Sequence, residues 1–394
     1  MALKWMRHVS ADPGKNLPLS PAIGDVWIIQ RSIPGYAIPR FALLSEALGG
    51  RLVVAADTNP LRDAAPLPFR LHRVRNMLLK GEMLTWQSGV RAAFGPPRPR
   101  AIIAEHSLRI VTLLPMMLES RLRGIPFILW GHGRGRRNPI SVKTWPNLVH
   151  RQLVSHCDAY VNYTEGRRQE LSVVTDPAKL FVAQNTLDTR PLFAAFDAIE
   201  AEGRAQVKQR LGLRNKYHVA FVGRLIEEKR VDLVLETIRQ LRAQGWDVGG
   251  VIVGDGPLRA TLQQSVADLP DIRFLGQIDD LTASAEWLGM ADVMLAPGTA
   301  GLLINHALAL GVPIVTSGED NVLHGPEMEF LQPGRTGETF VGGATAAAFA
   351  VASVLRRQAE MRQASSDYAR QNLAIGNWVG GMTDAIAYAA PAKP

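Results

Sequence analysis

Residues able to hold a phosphorylated ligand stand directly after an apolar run at positions 221–230. The run is expected to end as a strand at Gly223, which permits close backbone approach. Arg224 and Lys229 then precede a predicted helix, whose amino end favours anions. Because arginine offers a bidentate fork and lysine a point charge, the segment could bind a diphosphate and stabilise charge on a phosphate leaving group. The alternative is a turn with two solvated cations.

A second turn, with Gly254, Asp255 and Gly256, follows the apolar run that ends at Val253. Its glycines permit positive φ angles, and Asp255 can cap the helix that follows. The G-x-G-x-x-G spacing of a dinucleotide fingerprint is absent. By itself the pattern predicts an ordinary strand-to-helix turn.

A third turn lies between the apolar run 293–296 and a helical pattern that contains His306. It consists of Gly298, Thr299, Ala300, Gly301 and Leu302. The backbone amides of residues 299–302 are expected to point outward at the helix start, where they could receive further phosphate oxygens.

The first half of the chain offers a histidine in a comparable position. His132 stands between two glycines, after the apolar run 126–130 and before Arg134. Open α/β sheets place their sites just beyond strand ends, so a site role is expected. The alternative is a turn histidine. His106, beyond the run 101–104, is a weaker candidate of the same kind.

Short β-branched runs alternate with longer helical patterns, which is typical of parallel sheets covered by crossover helices. The predicted strands are 26–30, 52–56, 101–104, 126–130, 159–163 and 180–183, then 218–222, 249–253, 272–275, 293–296 and 313–316. The predicted helices are 40–48, 84–94, 108–123, 142–155 and 165–173, then 231–244, 258–268, 283–290 and 302–310.

We therefore predict an α/β chain with two Rossmann-like domains, as its length of 394 residues also suggests. The expected parts are an N-terminal extension 1–24, a first domain 25–190, a linker 191–216, a second domain 217–366 and a C-terminal helical segment 367–394.

Composition excludes several classes. A hydrophobic content of 47% excludes a mainly disordered chain, and no run of 18 apolar residues predicts a membrane span. The first 24 residues lack the apolar stretch of a secretory signal, and the single cysteine fits a reducing compartment, so a cytoplasmic location is expected.

Charge is divided unevenly along the chain. Residues 1–190 hold 26 Lys and Arg against 13 Asp and Glu, whereas the remainder holds 18 against 23. The basic half predicts an anionic partner such as a lipid surface or a phosphorylated substrate, the alternative being a solvated basic face. No basic stretch is interleaved with aromatic residues, so nucleic acid is not expected.

The segment from Phe221 to Val315 resembles the family 4 glycosyltransferases of the GT-B fold. The family's V-G-R-x-x-x-x-K segment, which contacts the donor diphosphate, corresponds to Gly223, Arg224 and Lys229. Its G-x-G turn near the base corresponds to 254–256. The family's Glu-x7-Glu signature falls on Gly298 and His306, so both signature glutamates are replaced.

The resemblance also implies roles in the first half. Tyr36 falls in the first strand-to-helix loop, which faces the acceptor in similar enzymes, and Arg134 follows the histidine that the family sets beside the transferring sugar. Asn185 and Asp188 resemble a turn that closes the first domain, and Glu327 resembles an acid that lines the donor side, although it could equally be a surface residue.

These features imply a GT-B glycosyltransferase whose two domains face each other across a cleft. It would move a sugar from a nucleotide donor to a hydroxyl acceptor with retention, without a metal or other cofactor. The acceptor would be a sugar, a glycolipid or another hydroxyl compound, with peripheral contact to an anionic membrane through the basic half. The alternatives are a nucleotide-sugar epimerase or hydrolase of the same fold, and a non-catalytic binding protein.

The replaced glutamates carry further expectations. His306 is expected to reach the ribose or the diphosphate, as a neutral or a charged imidazole, although it could instead be a structural histidine. Gly298 is expected to leave space for bulkier or anionic donors. The C-terminal segment is expected to cross back onto the first domain, with Trp378 as its anchor.

Overall fold

The computed structural model describes residues 24–57, 67–80, 83–133, 140–278, 281–320, 322 and 324–391, and no side chain is described for 281 and 282. The expected N-terminal extension therefore lies, apart from Gly24, outside the described residues. The chain forms two compact units. The first ends at Gln184 and resumes at Gly376, and the second spans Asn185–Ile375.

The first unit contains a seven-stranded parallel sheet and a separate antiparallel hairpin. Its strands are β1 (Val26–Ser32), β2 (Leu52–Asp57), β3 (Arg70–Arg73), β4 (Arg75–Leu79), β5 (Leu84–Ser88), β6 (Ala101–Glu105), β7 (Phe127–Gly131), β8 (Ala159–Asn162) and β9 (Leu180–Val182). The sheet order is β3-β2-β1-β6-β7-β8-β9, and the hairpin pairs β4 with β5. Among the described residues up to Gln184, the helices of this unit are α1 (Ile38–Ala47), α2 (Leu113–Leu122), α3 (Trp145–His156) and α4 (Glu165–Leu171).

The second unit contains a six-stranded parallel sheet in the order β12-β11-β10-β13-β14-β15. Its strands are β10 (Tyr217–Val222), β11 (Val248–Val253), β12 (Ile272–Gly276), β13 (Val293–Ala296), β14 (Ile314–Ser317) and β15 (Gly337–Phe340). Its helices are α5 (Arg190–Glu202), α6 (Arg204–Arg210), α7 (Val231–Ala243), α8 (Arg259–Ser265), α9 (Leu281–Gly289), α10 (Leu303–Ala309), α11 (Ala344–Arg356) and α12 (Gln358–Asn372).

The central strands form because their residues are apolar without interruption. Residues 52–56 are at most 5% exposed, and residues 248–253 are all buried. Parallel strands covered by helices on both faces require such runs. The eleven strands predicted from the sequence are confirmed, with ends shifted by at most two residues.

The predicted helix 84–94 is wrong. Residues 84–88 form β5, and 90–94 form a short 3-10 helix. Polar Thr85 and Gln87 point inward, and Gln87 donates a hydrogen bond from Nε2 to the carbonyl of Gln30. Because inward and outward residues alternate every second position, the segment has the period of a strand.

The expected linker 191–216 is not a free connector, because it forms most of α5 and all of α6 within the second unit. Leu192 and Phe196 of α5 are buried. Arg204 and Lys208 on α6 donate to Asp292 at 2.7 and 3.1 Å, which ties α6 to the start of β13.

The last helix, α13 (Ile375–Ala389), lies almost wholly in the first unit. The chain enters that unit at Gly376 rather than at Asp367, because α12 still belongs to the second. Trp378 is fully buried, and its ring centroid lies 5.8 Å from that of Phe41 and 5.9 Å from that of Trp130. No helix among the described residues is both long and apolar enough to span a bilayer.

Candidate functional site

The second unit brings two of the sequence-derived turns together where its strand order reverses. β10 and β13 are parallel neighbours, although they are not consecutive along the chain. The turns beginning at Gly223 and Gly298 leave the carboxyl ends of these two strands. Ligands of open α/β sheets bind in the crevice at such a reversal. The sequence-derived donor residues are therefore grouped at the position that the topology favours.

Lys229 links the two turns directly. Its Nζ donates to the carbonyl oxygen of Thr299 at 2.8 Å and to the Thr299 hydroxyl at 3.1 Å. Partial burial lowers the pKa of Lys229. Arg224, on the same loop, is exposed. In the loop after β10, Lys229 is therefore held by Thr299 of the turn after β13, whereas Arg224 is accessible to solvent.

The turn after β11 packs closely on the turn after β10. Gly254 has a φ of +134°, and a Cβ there would overlap the carbonyl oxygen of Gly223. The carboxylate of Asp255 accepts a hydrogen bond from the backbone amide of the next residue, Gly256, at 2.7 Å and another from the Arg259 side chain at 2.8 Å. These contacts lower the pKa of Asp255. Asp255 is therefore engaged by its own turn and helix.

Gly298 does not leave the space expected for a bulkier donor. A Cβ at Gly298 would overlap the carbonyl oxygen of Glu228 and lie 2.9 Å from the Cα of Lys229. The loop after β10 therefore already occupies the position of a side chain at residue 298. Loss of the first signature glutamate coincides with a close contact between two backbones, which corrects the expectation of a roomier pocket.

The amide of Ala300 does not point outward as expected. It donates at 3.1 Å to Nδ1 of His324, whose Nε2 lies 2.8 Å from the carbonyl of Ser317. These partners assign the proton to Nε2, and burial lowers the pKa of His324. The helix that follows, α10, has only seven residues. Sequence reasoning missed His324, which lies 24 positions from Ala300.

Glu327 is buried, not a surface residue, and its carboxylate lies beside the glycine-rich turn. Its Oε1 accepts from Nδ2 of Asn185, and its Oε2 lies 3.7 Å from the place a Cβ of Gly301 would take. Burial raises the pKa of Glu327. Asn305 on α10 donates to the carbonyl of Asn185 at 3.0 Å, which joins α10 to this cluster. Asp188 instead pairs with Arg190 at 2.8 Å.

His306 lies on α10 one position beyond Asn305 and is only partly exposed. Burial lowers its pKa to about 4, so the imidazole is neutral near pH 7. Of the two forms that the sequence left open, burial favours the neutral one at that pH. A neutral ring retains one donor and one acceptor nitrogen.

The sheet of the first unit reverses its strand order between β1 and β6, and an ion pair marks the reversal. Arg31 near the end of β1 donates to Glu105 at the end of β6 through its backbone amide at 3.1 Å and through Nε at 3.0 Å. The Glu105 contact raises the pKa of Arg31. Neither residue was singled out from the sequence.

His132 lies just beyond β7 in the first unit, at the same edge of the sheet. Its ring stands edge-on to Tyr163, with 4.8 Å between the ring centroids, and Tyr163 follows β8. The Gly133 amide donates to the hydroxyl oxygen of buried Tyr160. A side chain beneath the turn thus contacts the backbone next to His132.

Tyr160 is the first member of a hydrogen-bonded chain that includes two buried histidines of the first unit. Its hydroxyl lies 2.8 Å from Nδ1 of His106, and Nε2 of His106 lies 3.0 Å from Nδ1 of His150. Burial lowers the pKa of His150 to about 4, lowers that of His106 further, and raises that of Tyr160. All three groups are therefore neutral at pH 7. His106 is part of this network, not an exposed site residue.

Tyr36, expected on the acceptor side, is 47% exposed. The buried guanidinium of Arg40 lies 5.7 Å from the Tyr36 ring centroid and 5.1 and 5.2 Å from those of Trp130 and Trp378. Burial lowers the pKa of Arg40. The predicted acceptor residue Arg134 lies outside the described residues. Among the residues with a described structure, no three potential ligand side chains are grouped to hold a metal ion.

Comparisons with known proteins match most of the second unit to one family model. Residues 216–356 match the family model described as Glycosyl transferases group 1. A relative named GDP-mannose-dependent alpha-(1-6)-phosphatidylinositol dimannoside mannosyltransferase, from Mycobacterium tuberculosis, is 40% identical over 238 residues. That match covers 58% of this chain and 59% of the relative, so it includes little more than half of each protein. A glycogen synthase from Alkalilimnicola ehrlichii is 27% identical over 342 residues, covering 74% of this chain and 69% of the relative.

Solved structures share the whole fold. Anabaena Alr3699/HepE in complex with UDP has a TM-score of 0.65 at 16% identity, covering 92% of this chain and 98% of that one. A glycosyltransferase from Rickettsia africae has a TM-score of 0.67 at 12% identity, covering 94% and 100%. At these identities the likeness shows the fold alone, which is the expected GT-B fold with two Rossmann-like domains.

Proposed function

We propose that this chain, whose residues 216–356 form a group 1 glycosyl transferase domain, transfers a hexose from a nucleoside-diphosphate donor to a hydroxyl acceptor. The observation that carries the proposal is the bond from Lys229 to Thr299, which joins the turns after β10 and β13 where the strand order reverses. We assign the nucleotide part of the donor to these turns in the second unit and the acceptor to residues of the first.

The proposed chemistry is positioning together with stabilisation of the leaving group. Exposed Arg224 binds the diphosphate with its fork, while Lys229, held by Thr299, supplies a fixed positive charge. Neutral His306 offers one hydrogen bond to the ribose or the diphosphate. His132 of the first unit acts on transfer. We further propose that the anomeric configuration is retained and that these cations make a divalent metal unnecessary.

The relatives support a choice of donors and acceptors to test first. GDP-mannose is the leading donor because the 40% identical relative is named as dependent on it, and UDP-glucose is second because HepE has been solved with it. The same relative is named for a phosphatidylinositol dimannoside acceptor. Together with 26 basic against 13 acidic residues in positions 1–190, this supports a lipid-linked acceptor at the inner face of the cytoplasmic membrane.

The test is release of nucleoside diphosphate from GDP-mannose and UDP-glucose, with and without a phosphatidylinositol mannoside, in buffer containing EDTA. Release that requires the acceptor, accompanied by a glycosylated lipid with retained configuration, supports the proposal. Release or sugar conversion without acceptor would identify a hydrolase or an epimerase. Donor binding without turnover would identify a binding protein, and activity restored only by a divalent metal would overturn metal independence.

A further inference from the structure

The β4–β5 hairpin of the first unit presents an apolar face outward. The register sets Met77 opposite Trp86 and Leu79 opposite Leu84, so these four side chains share one face of the ribbon. Met77 is 47% exposed, Trp86 41% and Leu79 39%. Met83, next to the end of the ribbon, is 63% exposed. The hairpin therefore keeps its large apolar side chains in contact with solvent.

The opposite face anchors the hairpin through polar contacts. Thr85 and Gln87 are buried, and Nε2 of Gln87 donates to the carbonyl oxygen of Gln30 at 3.1 Å. The Thr85 amide donates to the carbonyl of Arg109 at 2.7 Å. A ribbon in water normally buries its apolar face and exposes its polar one. In this hairpin the polar side chains of Thr85 and Gln87 are buried while Met77 and Trp86 are exposed, and Leu78, which pairs with Thr85, is also 56% exposed. Exposed apolar side chains grouped in this way indicate a surface that meets an apolar environment.

The positive charge around this apolar face indicates which kind of partner it binds. Exposed Arg73, Arg75 and Lys80 lie on or beside the hairpin, whereas Arg70 and Arg91 are paired with Asp25 and Glu119. A second copy of the chain would bring the same positive charge to the contact, which opposes association. A bilayer with anionic lipids supplies both negative headgroups and an apolar interior. Trp86 and the basic side chains are of the types that occupy the boundary between them.

We propose that the β4–β5 hairpin inserts the side chains of Met77, Leu79 and Trp86 into an anionic lipid surface, with Arg75 and Lys80 against the headgroups. This deepens the proposed function by giving the residues through which the enzyme reaches a lipid-linked acceptor. Vesicle binding is measured without donor or acceptor, so failure of this inference is distinguishable from failure of the transfer reaction.

The experiment is co-sedimentation of the full chain with phosphatidylcholine vesicles, either pure or containing about one third phosphatidylglycerol. Wild-type protein is expected to bind the anionic vesicles at least about tenfold more tightly, and raising KCl from about 0.1 M to about 0.5 M should release it. The double variant M77S/W86S is expected to lose at least about tenfold in partition coefficient, because two apolar side chains no longer enter the bilayer.

Two variants serve as controls. Trp86→Phe keeps an aromatic side chain and should bind within about threefold of wild type, yet lose most of the fluorescence quenching by brominated lipid. Phe349→Ser removes a 73% exposed apolar side chain from α11 of the second unit and should bind normally. Unchanged melting temperatures would show that all variants fold.

Three results would overturn the inference. They are equal binding of wild type to neutral and anionic vesicles, full vesicle binding by M77S/W86S, and failure of wild type to bind anionic vesicles. If self-association in the ultracentrifuge were abolished in M77S/W86S while vesicles bound neither protein, the hairpin would be a contact between copies of the chain.

Discussion

The hydroxyl of Tyr160 lies between the Gly133 amide, which donates to it, and Nδ1 of His106, which lies 2.8 Å away. The Gly133 amide can only donate, so the buried hydroxyl satisfies its own hydrogen by donating to Nδ1 of His106. His106 then carries its proton on Nε2 and donates to Nδ1 of His150 at 3.0 Å. The direction of each hydrogen bond is thus fixed from the turn beside His132 into the core.

Tyr160→Phe is expected to release that turn without leaving a cavity. The Gly133 amide and His106 each lose a partner, which should lower the free energy of unfolding by about 1–3 kcal/mol. The transfer kcat should fall about tenfold with donor KM unchanged, because His132 is positioned less well for transfer. Tyr388→Phe, at a 45% exposed side chain, is the control. A change in donor KM instead of kcat would contradict a positioning role.

Arg224→Ala and Lys229→Ala are each expected to lower turnover on the order of a hundredfold, because each removes a charged contact to the leaving diphosphate. The two variants should differ in thermal stability. Exposed Arg224 can be removed without changing the melting temperature, whereas removal of Lys229 breaks its bonds to Thr299. Nucleotide release and thermal melting on both variants measure this, with Arg239→Ala on α7 as a matched surface control. Near-normal turnover in both variants would remove the diphosphate assignment.

Gly298→Ala is expected to impair folding and donor binding together. The added methyl group would meet the backbone of Glu228 and Lys229, and the loop carrying Lys229 would have to move. Overpacking of this kind costs about 1–3 kcal/mol. Gly380→Ala in α13, where a Cβ meets nothing within 4 Å, should instead raise the melting temperature. A stable Gly298→Ala variant with normal donor KM would show that the two loops are not in close contact.

His306→Ala is expected to raise the donor KM several-fold with a smaller change in kcat. Because the pKa of His306 is lowered to about 4, the contribution of this residue should not vary between about pH 6 and pH 8. Donor KM across that range, on the variant and on wild type, measures both effects. His156→Ala at an exposed histidine is the control. Lost stability with unaltered donor KM would assign His306 a structural role.

Glu327→Gln is expected to stabilise the protein at alkaline pH. Burial raises the pKa of Glu327 above its usual 4.5, so the folded state favours the protonated acid, and stability falls as pH rises through the folded-state pKa. Glutamine keeps an acceptor for Asn185 and has no charge to bury. The gain in melting temperature should be present at about pH 8 and vanish near about pH 4.5. A gain independent of pH would exclude this origin.

Sequence reasoning succeeded where one local signal decided the structure. The run Leu52–Ala56 is short, apolar throughout and contains two valines, which is typical of a buried parallel strand. Edge strands β3 and β15 gave no such signal, because Arg70 and Arg73 are exposed and Glu338 is partly so. The two parallel sheets were predicted correctly from their central strands, whereas the GT-B fold was predicted from the resemblance of the segment Phe221–Val315.

The site was accessible from sequence only in part. Turns following strands identified the loops of Arg224, Thr299 and His132, since topology brings strand ends together. The bond between Ala300 and His324 joins residues 24 positions apart that are separated along the chain by α10 and β14. Likewise, nothing local indicates that the backbone at Lys229 occupies the space beside Gly298. Contacts of this kind depend on three-dimensional packing that a single sequence does not encode locally.

The return of the chain to the first unit at Gly376 has a consequence for synthesis. During translation the second unit is complete as a continuous segment while the first still lacks α13. Until α13 is made, Phe41 and Trp130 lack their contact with Trp378. A released chain that is truncated before Gly376 should therefore carry a folded second unit and a protease-sensitive first one. The first unit is expected to become resistant only when the last helix has emerged.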